Sequence, residues 1–127
     1  MDIGTGSGYQ AAVLSLLAKE VISIEIISEL AEKAKINLQK LGFENIKVFL
    51  SDGSLGLPRD SPFDAIVCAA AGDKVPKTWK EQLKEGGRIV MPVNRVFGQE
   101  LIRVTKKGGV FIEENVCPVA FVPLVTK

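Results

Sequence analysis

Apolar residues along the chain fall into short runs that are separated by polar or glycine-rich segments. Two patterns alternate. Short β-branched runs are typical of strands buried on both faces, and longer stretches with apolar residues three or four apart are typical of helices. The predicted strands are residues 21–26, 46–50, 63–68 and 88–93. The predicted helices are residues 9–19, 28–41 and 76–83. This alternation predicts a parallel sheet with helices packed against it.

Side chains at the ends of the second helix indicate where it begins and ends. Ser28 is placed to cap its start, Glu29 suits its first turn, and Gly42 is placed to end it. Its apolar stripe consists of Leu30, Ala34, Leu38 and Leu41. The first helix is almost entirely apolar, so we expect it to be buried.

The last third of the chain has a different pattern. Residues 100–105 and 110–117 are both strand-like, and the short link Lys106-Lys-Gly-Gly109 joins them. Such a link predicts an antiparallel hairpin. Together with the alternating part, this predicts a single α/β domain over residues 1–127, with a mostly parallel, doubly wound sheet and a C-terminal antiparallel hairpin.

A glycine-rich loop leads into the first helix and is the strongest functional signal. It reads Asp2-Ile-Gly4-Thr5-Gly6-Ser-Gly8. The dinucleotide-binding fingerprint would require glycine at position 9, where this chain has Tyr9. The negative charge of Asp2 is also unfavourable beside a pyrophosphate, which is itself negatively charged. A cationic ligand without phosphate, such as S-adenosylmethionine, suits the loop better. The pattern resembles the first motif of class I methyltransferases, so the cofactor-binding residues predicted here are Asp2, Gly4, Thr5, Gly6 and Gly8.

Further acidic residues come at the ends of predicted strands, where parallel sheets bind ligands. Glu25 follows Gly4 by 21 residues, a spacing at which a carboxylate can accept both ribose hydroxyls. Asp52 closes the third strand, where a carboxylate can accept from an adenine amino group. We therefore add Glu25, Ile26, Asp52 and Gly53 to the predicted cofactor site. Simpler roles remain open: Asp2 as a cap of the glycine turn, Glu25 as a surface partner of a lysine, and Asp52 as a turn former.

Composition narrows the classes of function. The chain of 127 residues is 46% hydrophobic, which predicts a folded core. The net charge is +1, so no basic field indicates nucleic-acid binding, and no apolar run predicts a membrane span. There is no histidine, which excludes a Ser-His or Cys-His nucleophile within these residues. Cys68 and Cys117 form no paired motif, which favours a reduced cytoplasmic protein.

Several segments together resemble one particular family. The glycine loop continues as Gly8-Tyr-Gln-Ala-Ala12, and the later segments are Val21-Ile-Ser-Ile-Glu25, Ser51-Asp-Gly-Ser-Leu-Gly56, Gln82-Leu-Lys-Glu-Gly-Gly-Arg-Ile-Val-Met-Pro-Val93 and Phe121-Val-Pro-Leu124. They resemble the protein-L-isoaspartate O-methyltransferases. The resemblance implies a Rossmann-like class I methyltransferase fold. It also implies methyl transfer from S-adenosylmethionine to the abnormal carboxyl of isoaspartyl residues in damaged proteins. From the charge and the apolar runs we expect neither nucleic acid nor membrane as a partner, and we expect the full-length protein to be a monomer.

Two alternatives stay open: another class I methyltransferase acting on RNA or a small molecule, and an inactive fragment that still binds the cofactor. The family also has an N-terminal segment with a serine and a histidine near the substrate carboxyl, which has no counterpart in these residues. Only Met1, Asp2 and Ile3 precede the glycine loop, so the first strand is expected to be truncated. We therefore expect the catalytic residues upstream of Met1, and expect the chain to be the C-terminal part of a longer protein.

Overall fold

The computed structural model describes residues 1–127, and one seven-stranded sheet forms its centre. The strands in chain order are β1 (Asp2–Ile3), β2 (Val21–Glu25), β3 (Ile46–Leu50), β4 (Phe63–Cys68), β5 (Leu83–Arg95), β6 (Gly98–Lys107) and β7 (Val110–Val119). The helices are α1 (Tyr9–Ser15), α2 (Ser28–Lys40) and α3 (Lys77–Glu81), and two 3-10 turns lie at Gly53–Leu55 and Pro58–Asp60.

The strand order confirms the predicted doubly wound topology. It is β3-β2-β1-β4-β5-β6-β7, with parallel pairing from β3 to β5 and antiparallel pairing from β5 to β7. β1 has only two residues and lies between two neighbours, because Asp2 pairs with Ser23 of β2 and with Val67 of β4. The chain winds one way from β1 to β3 and the other way from β4 onward, so the carboxyl ends of these strands meet at one edge.

The largest buried side chains form the hydrophobic core between the sheet and the helices that pack against it. Trp79 of α3 is fully buried against the strands, and the core continues through the sheet with Ile24, Ile66, Ile89, Met91 and Ile102. None of the helices has the length and hydropathy that a membrane crossing needs.

The prediction for the first helix was wrong in length and in burial. α1 ends at Ser15 rather than at residue 19, and Leu16 and Leu17 are 77% and 83% exposed. The following chain turns tightly, with the N–H groups of Leu16 and Leu17 bonded to the carbonyls of residues three positions earlier. Asn45 secures this turn, since its amide donates to the Ser15 carbonyl at 2.9 Å.

The predicted serine cap of α2 was also wrong. Ile27 occupies the capping position and Ser28 is the first helical residue, with no capping side-chain hydrogen bond. The carboxylate of Glu25 accepts from the Ile27 N–H instead, at 3.1 Å. The two other end signals were confirmed, because Glu29 lies in the first turn and Gly42 follows the helix with a φ of 78°. The predicted stripe was wrong at Leu41, which lies beyond the end of the helix and is 72% exposed.

The later strands are longer than their hydrophobic runs. β5 begins at Leu83 rather than at residue 88 because Leu83 already pairs with Phe63, and α3 is correspondingly confined to five residues. β2 ends at Glu25, one residue earlier than predicted. The antiparallel hairpin of β6 and β7 is confirmed, and its turn consists only of Gly108 and Gly109.

Candidate functional site: a cavity at the carboxyl edge of the sheet

The glycine-rich loop leaves β1 at the centre of the sheet and crosses directly above β2. The Gly4 N–H donates to the Ile24 carbonyl at 2.9 Å, which fixes the start of the loop. Gly6 has a φ of 55°, a left-handed conformation that favours glycine. A Cβ at Gly6 would have no neighbour within 4 Å, so this part of the loop borders open space. The loop therefore offers backbone rather than side chain to a ligand.

Glu25 ties the end of β2 to this loop. One of its oxygens accepts from the Gly6 N–H at 2.9 Å, and the other accepts from the N–H groups of Ile26 and Ile27 at 3.0 and 3.1 Å. Hydrogen bonds between N–H groups and a carboxylate are stronger than neutral ones. Glu25 is therefore held at the cavity edge in a defined position, and it does not pair with a lysine.

Asp2 lies inside the sheet and is fully buried. Its oxygens accept from the Ser23 hydroxyl at 2.6 Å and from the Gln10 amide at 2.7 Å. Ser23 in turn shares a hydrogen bond with the Thr5 hydroxyl at 2.5 Å. Burial raises the pKa of Asp2, while the hydrogen bonds from Ser23 and Gln10 lower it in part. The carboxylate thus supports the glycine loop from below.

Asp52 follows β3 and caps a 3-10 turn. One oxygen accepts from the N–H and the hydroxyl of Ser54 at 2.9 and 2.7 Å. The other accepts from the Lys127 N–H at 2.9 Å, so the C-terminal residues reach this carboxylate. Burial on its own raises the pKa of Asp52, but the hydrogen bonds from Ser54 and Lys127 bring it below its ordinary value. Asp52 therefore remains ionised at neutral pH.

A cavity of about 560 Å³ connects the glycine loop, the end of β2 and the C-terminal tail. Six of the predicted site residues line it: Gly4, Thr5, Gly6, Glu25, Ile26 and Gly53. The structure does not bring Asp2, Gly8 or Asp52 into the lining. Asp2 is below the loop, Gly8 faces a groove between α1 and α2, and Asp52 lies behind Gly53. The cavity thus gathers the loop and the ribose-directed carboxylate that were predicted from spacing.

Sequence reasoning missed several residues that build this site. Ser23 was read only as part of an apolar strand, although a lone polar residue between two isoleucines was a signal. Gln10 lies in the helix after the loop and gave no signal of its own. The tail residues 122–125 also line the cavity. Their position is set by pairing with Ala71, whose N–H donates to the Val122 carbonyl at 2.8 Å.

The two cysteines stand apart from the cavity lining. Cys68 is buried at the end of β4, and burial raises the pKa of its thiol to about 12. Such a thiol is a poor nucleophile at neutral pH. No cluster of three metal-ligating side chains is present. The cavity lining consists of the Glu25 carboxylate, the backbone of the glycine loop, polar side chains such as Thr5 and Gln10, and apolar walls.

The doubly wound sheet, the glycine loop after its central strand and the carboxylate at the end of the next strand define a Rossmann-like class I methyltransferase domain. The family model for protein-L-isoaspartate (D-aspartate) O-methyltransferase matches residues 1–127. The chain therefore belongs to the protein-L-isoaspartate (D-aspartate) O-methyltransferase family.

Individual relatives agree with this assignment. The chain is 48% identical over 124 residues to a protein-L-isoaspartate O-methyltransferase of Dictyoglomus turgidum, covering 98% of this chain and 56% of that protein. It is 50% identical over 130 residues to one of Methanocella arvoryzae, covering all of this chain and 69% of that protein. The chain thus spans little more than half the length of several curated relatives.

Solved structures show the same fold. A protein-L-isoaspartate O-methyltransferase superposes with a TM-score of 0.89 at 36% identity, over 96% of this chain and 40% of that one. A candidate enzyme of this type from Plasmodium falciparum, solved with S-adenosyl-L-homocysteine, gives a TM-score of 0.82 at 26% identity, over 99% of this chain and 65% of that one.

Proposed function

We propose that this chain forms the cofactor-binding part of an enzyme that transfers a methyl group from S-adenosylmethionine to the carboxyl group of isoaspartyl residues in damaged proteins. The observation that carries the proposal is the cavity in which Glu25 is bonded to the glycine loop, in a chain of this family. We further propose protein repair in the cytoplasm as its role, with full-length monomers acting on proteins or peptides that contain isoaspartate.

The chemistry of the cavity fits this cofactor. A carboxylate offers about four acceptor positions, and Glu25 uses three of them for N–H groups, so one position remains for a ribose hydroxyl. Apolar side chains of Ile26, Ile27 and Leu30 provide a wall for an adenine ring. Asp2 and Glu25 place negative charge near a bound cation. The cofactor would supply an electrophilic methyl group.

The residues of this chain then bind, orient and exclude water. The substrate carboxyl is ionised at neutral pH, so no side chain has to remove a proton from it. Transfer depends instead on alignment of the reacting atoms in a dry pocket. The tail residues 122–125 cover one side of the cavity and serve this exclusion. We propose that groups holding the substrate carboxyl belong to the part of the relatives' length that this chain does not span.

Calorimetry on a folded chain that also carries residues upstream of Met1 tests the ligand. We expect S-adenosylhomocysteine to bind and NAD not to bind, and we expect Glu25→Ala to weaken binding roughly 10-fold to 100-fold through the lost charged hydrogen bonds. Gly6→Val should abolish binding because side chain replaces backbone at the ligand surface. Glu44→Ala is the control for the lost carboxylate, since Glu44 is distant from the cavity lining. Gly42→Val is the control for the strained backbone, since Gly42 also has positive φ and open space around it. Tight NAD binding would refute the assignment.

Labelled-methyl transfer tests the reaction. Matched peptides that contain isoaspartate or aspartate at one position are offered to the 127-residue chain and to a longer chain carrying residues upstream of Met1. We expect the longer chain to label only the isoaspartyl peptide, and the shorter chain to label neither, because misplacement of about 1 Å can cost about 100-fold in rate. Equal labelling of both peptides would refute the substrate class. Labelling of RNA or a small molecule instead would favour another methyltransferase activity.

A further inference from the structure

Three side chains from helix α3 and the residue after it donate hydrogen bonds to segment 53–57, which begins at the edge of the cavity. The Thr78 hydroxyl donates to the Ser54 carbonyl at 2.6 Å, and the Trp79 indole N–H donates to the Gly53 carbonyl at 2.8 Å. The Gln82 amide donates to the Leu55 carbonyl at 2.9 Å. Three successive carbonyls are therefore held by side chains from little more than one turn of helix. The backbone of the segment is fixed by residues that do not themselves line the cavity.

Gln82 holds the same segment through a second hydrogen bond. Its amide oxygen accepts from the Leu57 N–H at 2.8 Å, so one side chain spans the segment from Leu55 to Leu57. Gly56 between them has a φ of 64°, and a Cβ there would overlap the Gln82 amide. Gln82 is buried and both ends of its amide group are bonded. The segment thus follows the path that Gln82 sets.

The segment held in this way begins at Gly53, which lines the cavity, and follows directly on Asp52, which does not line it but accepts from Ser54 of the segment. The Ser54 residue that Thr78 holds through its carbonyl also bonds the Asp52 carboxylate through its N–H, at 2.9 Å. Gly53 packs so closely on β1 that a Cβ there would come within 2.6 Å of the Ile3 Cγ2 atom. Movement of the segment would therefore move the carboxylate and one cavity wall together.

We propose that Thr78 and Gln82 are positioning residues for adenine recognition, because they hold segment 53–57 and thereby fix the Asp52 carboxylate beside the cavity. The inference rests on the proposed binding of S-adenosylmethionine. Neither Thr78 nor Gln82 lines the cavity. They act through the Ser54 and Leu55 carbonyls on the orientation of Asp52. A carboxylate held in one orientation accepts from the adenine amino group and rejects a ring that presents a carbonyl oxygen there.

The test compares two ligands that differ at that position and at the neighbouring ring nitrogen N1, which carries a proton only in the 6-oxo base. Calorimetry is performed on a folded chain that also carries residues upstream of Met1, with S-adenosylhomocysteine and with its S-inosyl analogue, in which oxygen replaces the amino group. We expect the wild-type chain to prefer the adenine form roughly 10-fold to 100-fold, the range of one hydrogen bond to a charged group. Thr78→Val removes the hydroxyl at constant shape and should reduce this preference roughly threefold to tenfold. Gln82→Met should reduce it further.

Matched variants separate positioning from a general structural role. Thr78→Ser keeps the hydroxyl and should keep the preference, while Thr105→Val repeats the substitution on β6 and should leave it unchanged. Thermal unfolding is measured for every variant, and if Gln82→Met does not fold, the Thr78 variants decide. Equal weakening of both ligands with an unchanged ratio would overturn the positioning role and leave the proposed function standing. A wild-type chain that binds neither ligand would reject the proposed function and this inference with it.

Discussion

Glu25 and Asp2, the two acidic residues nearest the glycine loop, have different roles, although the sequence suggested direct ligand contact for both. Glu25 lies at the cavity with its oxygens on backbone N–H groups. Asp2 is fully buried one layer below, bonded to Ser23 and Gln10. A buried carboxylate keeps much of its electric field, because the interior screens charge less than water does. Asp2 is therefore placed to favour a cation without touching it.

Replacement of Asp2 by asparagine separates this field from the hydrogen bonds. In an Asp2→Asn chain the new amide oxygen can still accept from Gln10, and Ser23 can donate to Thr5 instead, so the network survives. We expect the free energy of unfolding at pH 7 to rise by on the order of 1 kcal/mol, because a desolvated charge is removed. Affinity for S-adenosylhomocysteine, which lacks the sulfonium, should change little, whereas affinity for S-adenosylmethionine should fall roughly threefold to tenfold.

The effect of Asp2→Asn on the free energy of unfolding should depend on pH, and this dependence tests whether the ionised Asp2 destabilises the fold. The pKa of Asp2 is raised in the folded chain, so its ionisation opposes folding at any pH above that raised value. As the pH falls through that value the carboxyl becomes protonated and the penalty disappears. Denaturant unfolding of the two chains should therefore give different stabilities at neutral pH and converging stabilities at about pH 4, near the ordinary pKa of an aspartate. An asparagine chain that is less stable at neutral pH would contradict this account.

At the scale of elements, hydrophobic periodicity predicted the strands that are defined by burial, but it missed the helix ends that are defined by polar contacts. The parallel strands β2, β3 and β4 were placed within a residue because each is a short apolar run with turns on both sides. The end of α1 was missed because Asn45, 30 residues further along the chain, secures it. The cap of α2 was missed because the helix begins one residue earlier than a Ser28 cap requires, directly after Ile26 and Ile27, whose N–H groups Glu25 accepts. The same limit applies to the site, because its supports Ser23, Gln10 and Gln82 act through side-chain hydrogen bonds that hydrophobic periodicity does not record.

The hairpin turn between β6 and β7 gives a test at this scale. Gly108 and Gly109 have φ values of 61° and 74°, and a Cβ on either would meet nothing within 4 Å. Substitutions there change backbone energetics alone. Gly108→Asn should stabilise the fold by about 0.5 kcal/mol, because asparagine tolerates this conformation and restricts the unfolded chain. Gly109→Val should destabilise it by about 1–2 kcal/mol, because a β-branched residue does not tolerate it. Chemical denaturation of both chains measures the difference, and equal effects would contradict the turn geometry.

At the scale of the whole molecule, β1 is shorter than its two neighbours, so the sheet is paired at the carboxyl ends of β2 and β4 and open at their beginnings. A cleft of about 580 Å³ lies between the beginnings of β2 and β4, with apolar walls that include Leu14, Leu17 and Phe63. β1 pairs with Ser23 and Ile24 of β2 but not with Val21 or Ile22. The cofactor cavity lies at the opposite, carboxyl edge, where the loop contacts are made. The site is thus assembled on a sheet that remains open on its other side.

This opening predicts the stability of the 127-residue chain. Each unpaired and poorly hydrated backbone group costs about 1–3 kcal/mol, and domain stabilities are only about 5–15 kcal/mol, so a few such groups take a large share. We expect the chain to unfold at low denaturant concentration, to associate, and to bind an apolar dye in the cleft. Leu17→Lys is the matched variant, because Leu17 lines the cleft and is 83% exposed, so the change should reduce dye binding and association without unfolding the sheet. A longer chain that carries residues upstream of Met1 should lose the dye signal and gain several kcal/mol in stability. Cooperative unfolding of a soluble monomer of these residues at an ordinary mesophilic temperature, with no dye bound, would show that the open cleft costs the fold little.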